Sequence, residues 1–169
     1  KNGYLIIENV YNKTAIDELK ENSKEFMEPP DFPVALNVHR RSDFFMQTIS
    51  DPKLIKLVEH VQNSQVDALN DQFLFKKANT KYGKQSWTFH QDNSYPKSPD
   101  GSYLITHVAI DRSEKENGGL IFLTGSHKEP ILDFEHNISW KESSNKDGTT
   151  RPGQTIKDIN KLEQYQMMD

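Results

Sequence analysis

Ser86-Trp87-Thr88-Phe89-His90-Gln91-Asp92 alternates as a strand does, with Trp87, Phe89 and Gln91 on one face and Thr88, His90 and Asp92 on the other. Residues two apart on a strand project side by side, so one imidazole and one carboxylate leave this segment together. Such a pair is the local half of a 2-His-1-carboxylate facial triad, which holds Fe(II) on one face and leaves coordination positions open for a cosubstrate and oxygen. The same spacing also describes an ordinary polar contact at a strand end, and the short motif by itself does not choose between the two.

Working outward, the chain reads as strands after this segment and as helices before it. Phe73-Leu74-Phe75, Tyr103 to Ile110, Leu120 to Leu123, Gln154 to Ile156 and Leu162 to Met168 carry strand texture, with joints at Asn93 to Gly101 and Glu116 to Gly119. Gly3-Tyr4-Leu5-Ile6-Ile7 opens the chain as a further strand. Thr14-Ala15-Ile16-Asp17 predicts a capped helix whose apolar positions are Ile16, Leu19, Phe26 and Met27, ended by Pro29-Pro30. Asp51-Pro52 predicts a second helix, with Leu54, Ile55, Leu57, Val58, Val61 and Leu69 on its apolar face. Both helices are expected to pack against a sheet. Lys141 to Gly153 is nearly devoid of apolar residues and reads as a polar loop. Helices first and short strands afterwards give a mainly β class with flanking helices, an antiparallel sandwich or jelly roll.

Composition bounds the rest. The chain has 169 residues, room for one domain: residues 1–71 supply the first strand and packing helices, and residues 72–169 the jelly-roll strands with a polar loop at 141–153. Leu, Ile, Val and Phe total 40 residues, enough for a thin core. A net charge of -4 with scattered Lys and Arg provides no basic stripe, so nucleic acid is not an expected partner. No apolar run reaches the length of a membrane span, and no signal-peptide core opens the chain. The absence of Cys excludes disulfides and thiolate ligands and fits a cytoplasmic setting.

Further residues sharpen the reading. Beyond the His90-Gln91-Asp92 segment come a Pro-containing loop, a strand, Glu116-Asn117-Gly118-Gly119-Leu120, and then Thr124-Gly125-Ser126-His127-Lys128. In this order the chain resembles the phytanoyl-CoA dioxygenase family of Fe(II)/2-oxoglutarate oxygenases, which shows H-x-D, an N-G-x-L turn and a P-G-S-H-K segment. The match is tight from Gln72 to Lys128 and looser from Gly3. It implies a double-stranded β-helix (a cupin-like jelly roll), Fe(II) and 2-oxoglutarate as cofactors, and oxidation of a small-molecule substrate with molecular oxygen.

Carried over position by position, His90 and Asp92 match the first two iron ligands. Gln91 matches the residue between them, which in some members lies beside the cosubstrate. His107 falls where a side chain often lines the 2-oxoglutarate pocket, and Gln72 and Lys76 lie on the preceding strand where polar cosubstrate contacts recur. Each of these last positions also reads as an ordinary polar strand residue. The Asn117-Gly118-Gly119 turn and Gly125-Ser126-His127 read as structural, because Gly supplies the positive φ of a tight turn. His127 is not the distal ligand in the family pattern.

The resemblance also marks departures. Thr124 stands where the family usually has Pro. Only 77 residues follow Asp92, and Arg151 is the single Arg beyond Arg112, whereas relatives carry a distal His and then an Arg for the far carboxylate of 2-oxoglutarate. The chain begins at Lys1 rather than Met and stops at Asp169 after an apparent strand. It therefore reads as a fragment of an oxygenase, incomplete at its C-terminus, poor at holding iron alone and open to oligomerisation through an exposed sheet edge. The alternatives are a non-catalytic jelly-roll binding module with a remnant metal motif, and a cupin-type metal enzyme of another reaction class.

Overall fold

The computed structural model describes residues 1–27, 34–75, 88–138 and 152–168. Lys76, Trp87, Arg151 and most of the expected polar loop lie outside the described residues. The chain divides into two compact units: residues 1–8, 85–103 and 113–169 form one, and residues 9–84 and 104–112 the other.

The second unit holds the helices. Helix α1, Lys13–Ser23, is capped by Asn12 rather than Thr14: the Asn12 backbone is extended and its side-chain oxygen accepts from the Ala15 N–H at 2.9 Å. Helix α2, Asp43–Ile49, is absent from the sequence reading. Helix α3, Pro52–Gln62, starts as expected, with Asp51 accepting from the Lys53 N–H at 2.9 Å and Pro52 in the first turn. It ends at Asn63 in the left-handed region (φ 54°), so Leu69 lies beyond the helix, exposed. No residue of α3 is fully buried, and Leu54, Ile55, Leu57 and Val58 of its apolar face are half-buried.

A short antiparallel pair completes this unit: β1, Val34–Leu36, runs against β2, Gln72–Leu74, with Ala35 opposite Phe73. Leu19, Phe26, Ala35, Val38 and Phe45 form its buried core, with Phe73, Val108 and Ile110 packed on them. Phe45 meets Phe26, Phe44 and Phe73 edge to face, with centroids 5.5, 5.1 and 4.9 Å away. Just beyond β1, His39 Nδ1 lies 2.5 Å from Asp71 Oδ1, and Asp71 also accepts from the His39 backbone N–H.

The first unit holds two antiparallel pairs. Strand β3, Phe122–Leu123, pairs with β6, Met167–Met168. Strand β4, Phe134–Ile138, pairs with β5, Pro152–Ile156, with Phe134 opposite Ile156 and His136 opposite Gln154. Leu132, Ile156 and Leu162 form its core, joined by Phe89 and Leu123.

Four expected strands are not built as such: of the run Ser86 to Asp92, residues 88–91 are extended without a strand ladder, Asp92 opens a 3-10 turn, and residues 86–87 lie outside the described residues. Residues 3–7 and 103–110 have no strand ladder, and residues 162–168 contribute only Met167 and Met168 after a 3-10 turn at Ile159–Leu162. An apolar alternating run becomes a strand only where a neighbour takes its backbone N–H and C=O groups. Leu5, Ile6 and Ile105 stay more than half exposed. What the described residues show is small two-stranded antiparallel sheets with helices. No described helix is long and apolar enough to cross a membrane.

Candidate metal centre

Residues 88–91 run extended alongside β5. The Phe89 carbonyl accepts from the Ile156 N–H at 3.3 Å, and the Thr88 and Thr155 hydroxyls meet at 2.7 Å. Alternation then sends Phe89 into the core of Leu132, Ile156 and Leu162, while His90 and Asp92 project from the opposite face.

His90 Nδ1 lies 2.8 Å from the Thr88 carbonyl oxygen. A carbonyl only accepts, so Nδ1 carries the hydrogen and the neutral ring keeps its lone pair on Nε2. Nε2 in turn sits 3.2 Å from Asp92 Oδ1, with the imidazole 27% and the carboxylate 52% exposed. The hydrogen bond to Asp92 raises the imidazole pKa above its ordinary value against the opposing pull of burial, and the Thr88 carbonyl and the Asp92 charge add to the rise.

The donor set fits two corners of an iron site. Adjacent corners of an octahedron with bonds of about 2.1 Å lie about 3.0 Å apart, close to the 3.2 Å observed between Nε2 and Oδ1. The Nδ1–H bond to a backbone carbonyl is the outer-shell contact that metal-bound histidines use to fix ring orientation. No group of three His, Cys, Asp or Glu side chains placed to hold a metal ion occurs among the described residues.

Tyr95 adjoins the pair, and the Asp92 charge also reaches Tyr103. Tyr95 meets the His90 ring edge to face at 6.2 Å. Burial raises the Tyr95 hydroxyl pKa first and the Asp92 charge adds to it, with a hydrogen bond from the Gln154 backbone opposing; Tyr103 is raised by burial and then by Asp92. Asp92 opens a 3-10 turn, Asp92–Ser94, in which Ser94 is buried and contacts the buried side-chain oxygen of Gln154. Further along the loop, Asn93 accepts from the backbone N–H of Ser98 at 2.9 Å. Asp100 accepts from the Ser98 hydroxyl at 2.7 Å and from the Ser102 N–H at 3.0 Å. Bonds from Ser102 and then Ser98 hold the Asp100 carboxyl well below the usual carboxylate range.

The first unit thus brings His90, Gln91 and Asp92 together, while Gln72 and His107 belong to the second unit. Gln72 is an exposed residue of β2, paired with Leu36. Partial covering lowers the pKa of the His107 imidazole below its ordinary value. Among the other histidines, His127 packs against Gly3, where an added Cβ would come 2.5 Å from its Nδ1. His136 lies on β4 with its ring against Phe134. Gly118 and Gly125 both hold positive φ, 88° and 89°, as their turns demand. Sequence reasoning missed Tyr95, Tyr103, Ser94 and Gln154. Nothing in their spacing distinguishes them from loop and strand residues elsewhere.

A family model described as phytanoyl-CoA dioxygenase (PhyH) matches residues 1–158. The peroxisomal phytanoyl-CoA dioxygenase of Bos taurus is 22% identical over 80% of this chain and 48% of its own length. That of Mus musculus is 24% identical over 86% of this chain and 50% of its own. The chain spans about half the length of these curated relatives. No solved structure matches it. With the family model covering nearly the whole of it, the chain belongs to the phytanoyl-CoA dioxygenase family.

Proposed function

We propose that the chain is the ligand-bearing part of an Fe(II)/2-oxoglutarate-dependent oxygenase that hydroxylates a small organic molecule, with its two units belonging to one jelly-roll domain. The observation that carries this reading is the His90–Asp92 pair, 3.2 Å apart with Nδ1 of His90 tied to the Thr88 carbonyl. When bound, Fe(II) with 2-oxoglutarate supplies the activation of oxygen, which no side chain can provide.

The chain's own residues do the positioning. His90 presents Nε2, Thr88 fixes the tautomer that leaves that atom free, and Asp92 offers a carboxylate at the adjacent corner. Tyr95 lies edge to face against one side of the imidazole. Gln72, Lys76 and His107 are assigned to cosubstrate contact on the family resemblance. Two protein ligands hold a metal less firmly than three, and the His90–Asp92 pair supplies two.

The test is anaerobic Fe(II) titration of the chain with and without 2-oxoglutarate, followed by measurement of oxygen-dependent succinate formation in the full-length protein. His90→Ala and Asp92→Asn are each expected to weaken metal binding more than the roughly 100-fold that marks an outer-shell change. If the full-length protein forms no succinate and binds iron no better than these variants do, the chain is a binding module with a remnant motif.

A further inference from the structure

Gln91 stands between the two proposed ligands, and its side chain is committed to the backbone of a distant segment. Its Nε2 donates to the Pro130 carbonyl at 3.0 Å, and its Oε1 accepts from the Leu132 N–H at 2.8 Å. One primary amide thereby replaces a strand neighbour, satisfying a donor and an acceptor two residues apart. Leu132 is itself a core residue, packed with Ile156 and Leu162, so the far end of the clamp is fixed. The main chain of Gln91 is fixed as well: its carbonyl accepts from the Ser94 N–H at 2.9 Å and lies 2.5 Å from Ser94 Oγ.

We infer that Gln91 is a positioning residue for the metal-binding pair, setting the height and twist of residues 90–92 against the segment 130–132 rather than contacting the cosubstrate. The inference rests on the oxygenase reading for its function and on the two hydrogen bonds for its geometry. Strand alternation directs the Gln91 side chain to the Phe89 face, opposite the one from which His90 and Asp92 project. A cavity of about 120 Å³ lies along the run, lined by Phe89, His90, Gln91, Leu132, Ile156 and Leu162 among others. Without the clamp the run has room to settle into that space, and the imidazole turns with it. Both hydrogen-bonding partners are backbone groups, so the requirement falls on the amide at position 91 and not on the identity of a partner side chain.

The experiment compares wild type, Gln91→Leu and Gln91→Glu in the full chain, using Co(II) as an oxygen-stable probe. The leucine has nearly the same volume and makes neither bond. The glutamate keeps the acceptor for the Leu132 N–H and loses the donor. Expected for Gln91→Leu is a loss of Co(II) affinity of about 10- to 100-fold with a changed Co(II) visible spectrum, and for Gln91→Glu a smaller loss. In metal-free protein the ¹⁵N shifts of the His90 ring should move from the single Nδ1–H tautomer toward a mixture in Gln91→Leu, a change that simple loss of stability does not produce. Unchanged Co(II) affinity and unchanged ring shifts in a folded Gln91→Leu overturn the assignment, whatever happens to 2-oxoglutarate binding. Should that variant not fold, Gln91→Glu decides by the same two readouts. Should wild-type Co(II) binding prove independent of His90 and Asp92, the oxygenase reading fails, and the ring tautomer alone still decides whether Gln91 positions His90.

Discussion

The two units are built around apolar clusters of different size. The helical unit centres on Phe45, 2% exposed, with three aromatic rings edge-on around it and Val38 almost fully enclosed. The unit with the His90–Asp92 pair has a smaller buried cluster of Leu132, Ile156 and Leu162, and much of its order comes from side chains bonded to backbone: Gln91 to residues 130 and 132, Thr88 to residue 154, Asp100 to residue 102. Apolar packing is strong and non-directional, whereas hydrogen bonds add little net stability and fix geometry closely. Among the described residues the helical unit has the larger apolar cluster, while side-chain-to-backbone bonds serve both units, at Asp71 and the helix caps in one and at Gln91 in the other.

The sharpest way to break this contrast is Phe45→Ala, which removes a ring from the aromatic cluster. It should lower stability by about 3–5 kcal/mol in urea denaturation. A loss below about 1 kcal/mol would mean that the cluster is not the anchor of its unit. On the other side, Gln154→Leu takes one hydrogen-bonding partner from buried Ser94 and leaves it the Gln91 carbonyl. It should cost about 1–2 kcal/mol in the same assay, and it should alter the Tyr95 ring signals by NMR because the Gln154 backbone adjoins that side chain.

Smaller again is Asp51→Ala at the start of α3, expected to cost about 1 kcal/mol through loss of the cap. Circular dichroism should then show fraying of α3, whereas Asp51→Asn, which keeps a capping oxygen, should retain most of the stability. The smallest effect belongs to Asp100, which is fully exposed. Its carboxyl is held below the ordinary range, so its contribution is present above the unfolded-state pKa and lost as pH falls through the lower, folded value. An NMR titration should find Asp100 still ionised where other exposed carboxylates have protonated. Replacing both Ser98 and Ser102 by Ala should raise it toward the ordinary range, with the residue-102 backbone N–H still holding it below.

Local chemistry was legible in the sequence, and long-range pairing was not. Asp51-Pro52 fixes the start of α3 because both the cap and the first-turn Pro act within three residues. Gly118 and Gly125 mark their turns because positive φ is a property of one residue. The projection of His90 and Asp92 to one side likewise needs only an extended backbone. Residues 3–7 and 103–110 misled because an apolar run says nothing about who pairs with it. Asn12 displaced Thr14 as the cap of α1 since both are good caps and only the local dihedrals choose. Phe44-Phe45 gave too short a run to announce α2. The clamp at Gln91 was hidden for the same reason as the strands: its partners lie 39 and 41 residues away.

Those separations set an order of events during synthesis. His90 and Asp92 leave the ribosome almost together, yet the contacts that align them do not. Pro130 and Leu132 come about 40 residues later, and the partner of Ser94 comes 60 residues later. At about 5–20 residues per second, Gln154 follows Ser94 by about 3–12 s. Through that interval the nascent chain carries both proposed ligands without the contacts that align them, so their geometry is set only once the far half of the unit has been made.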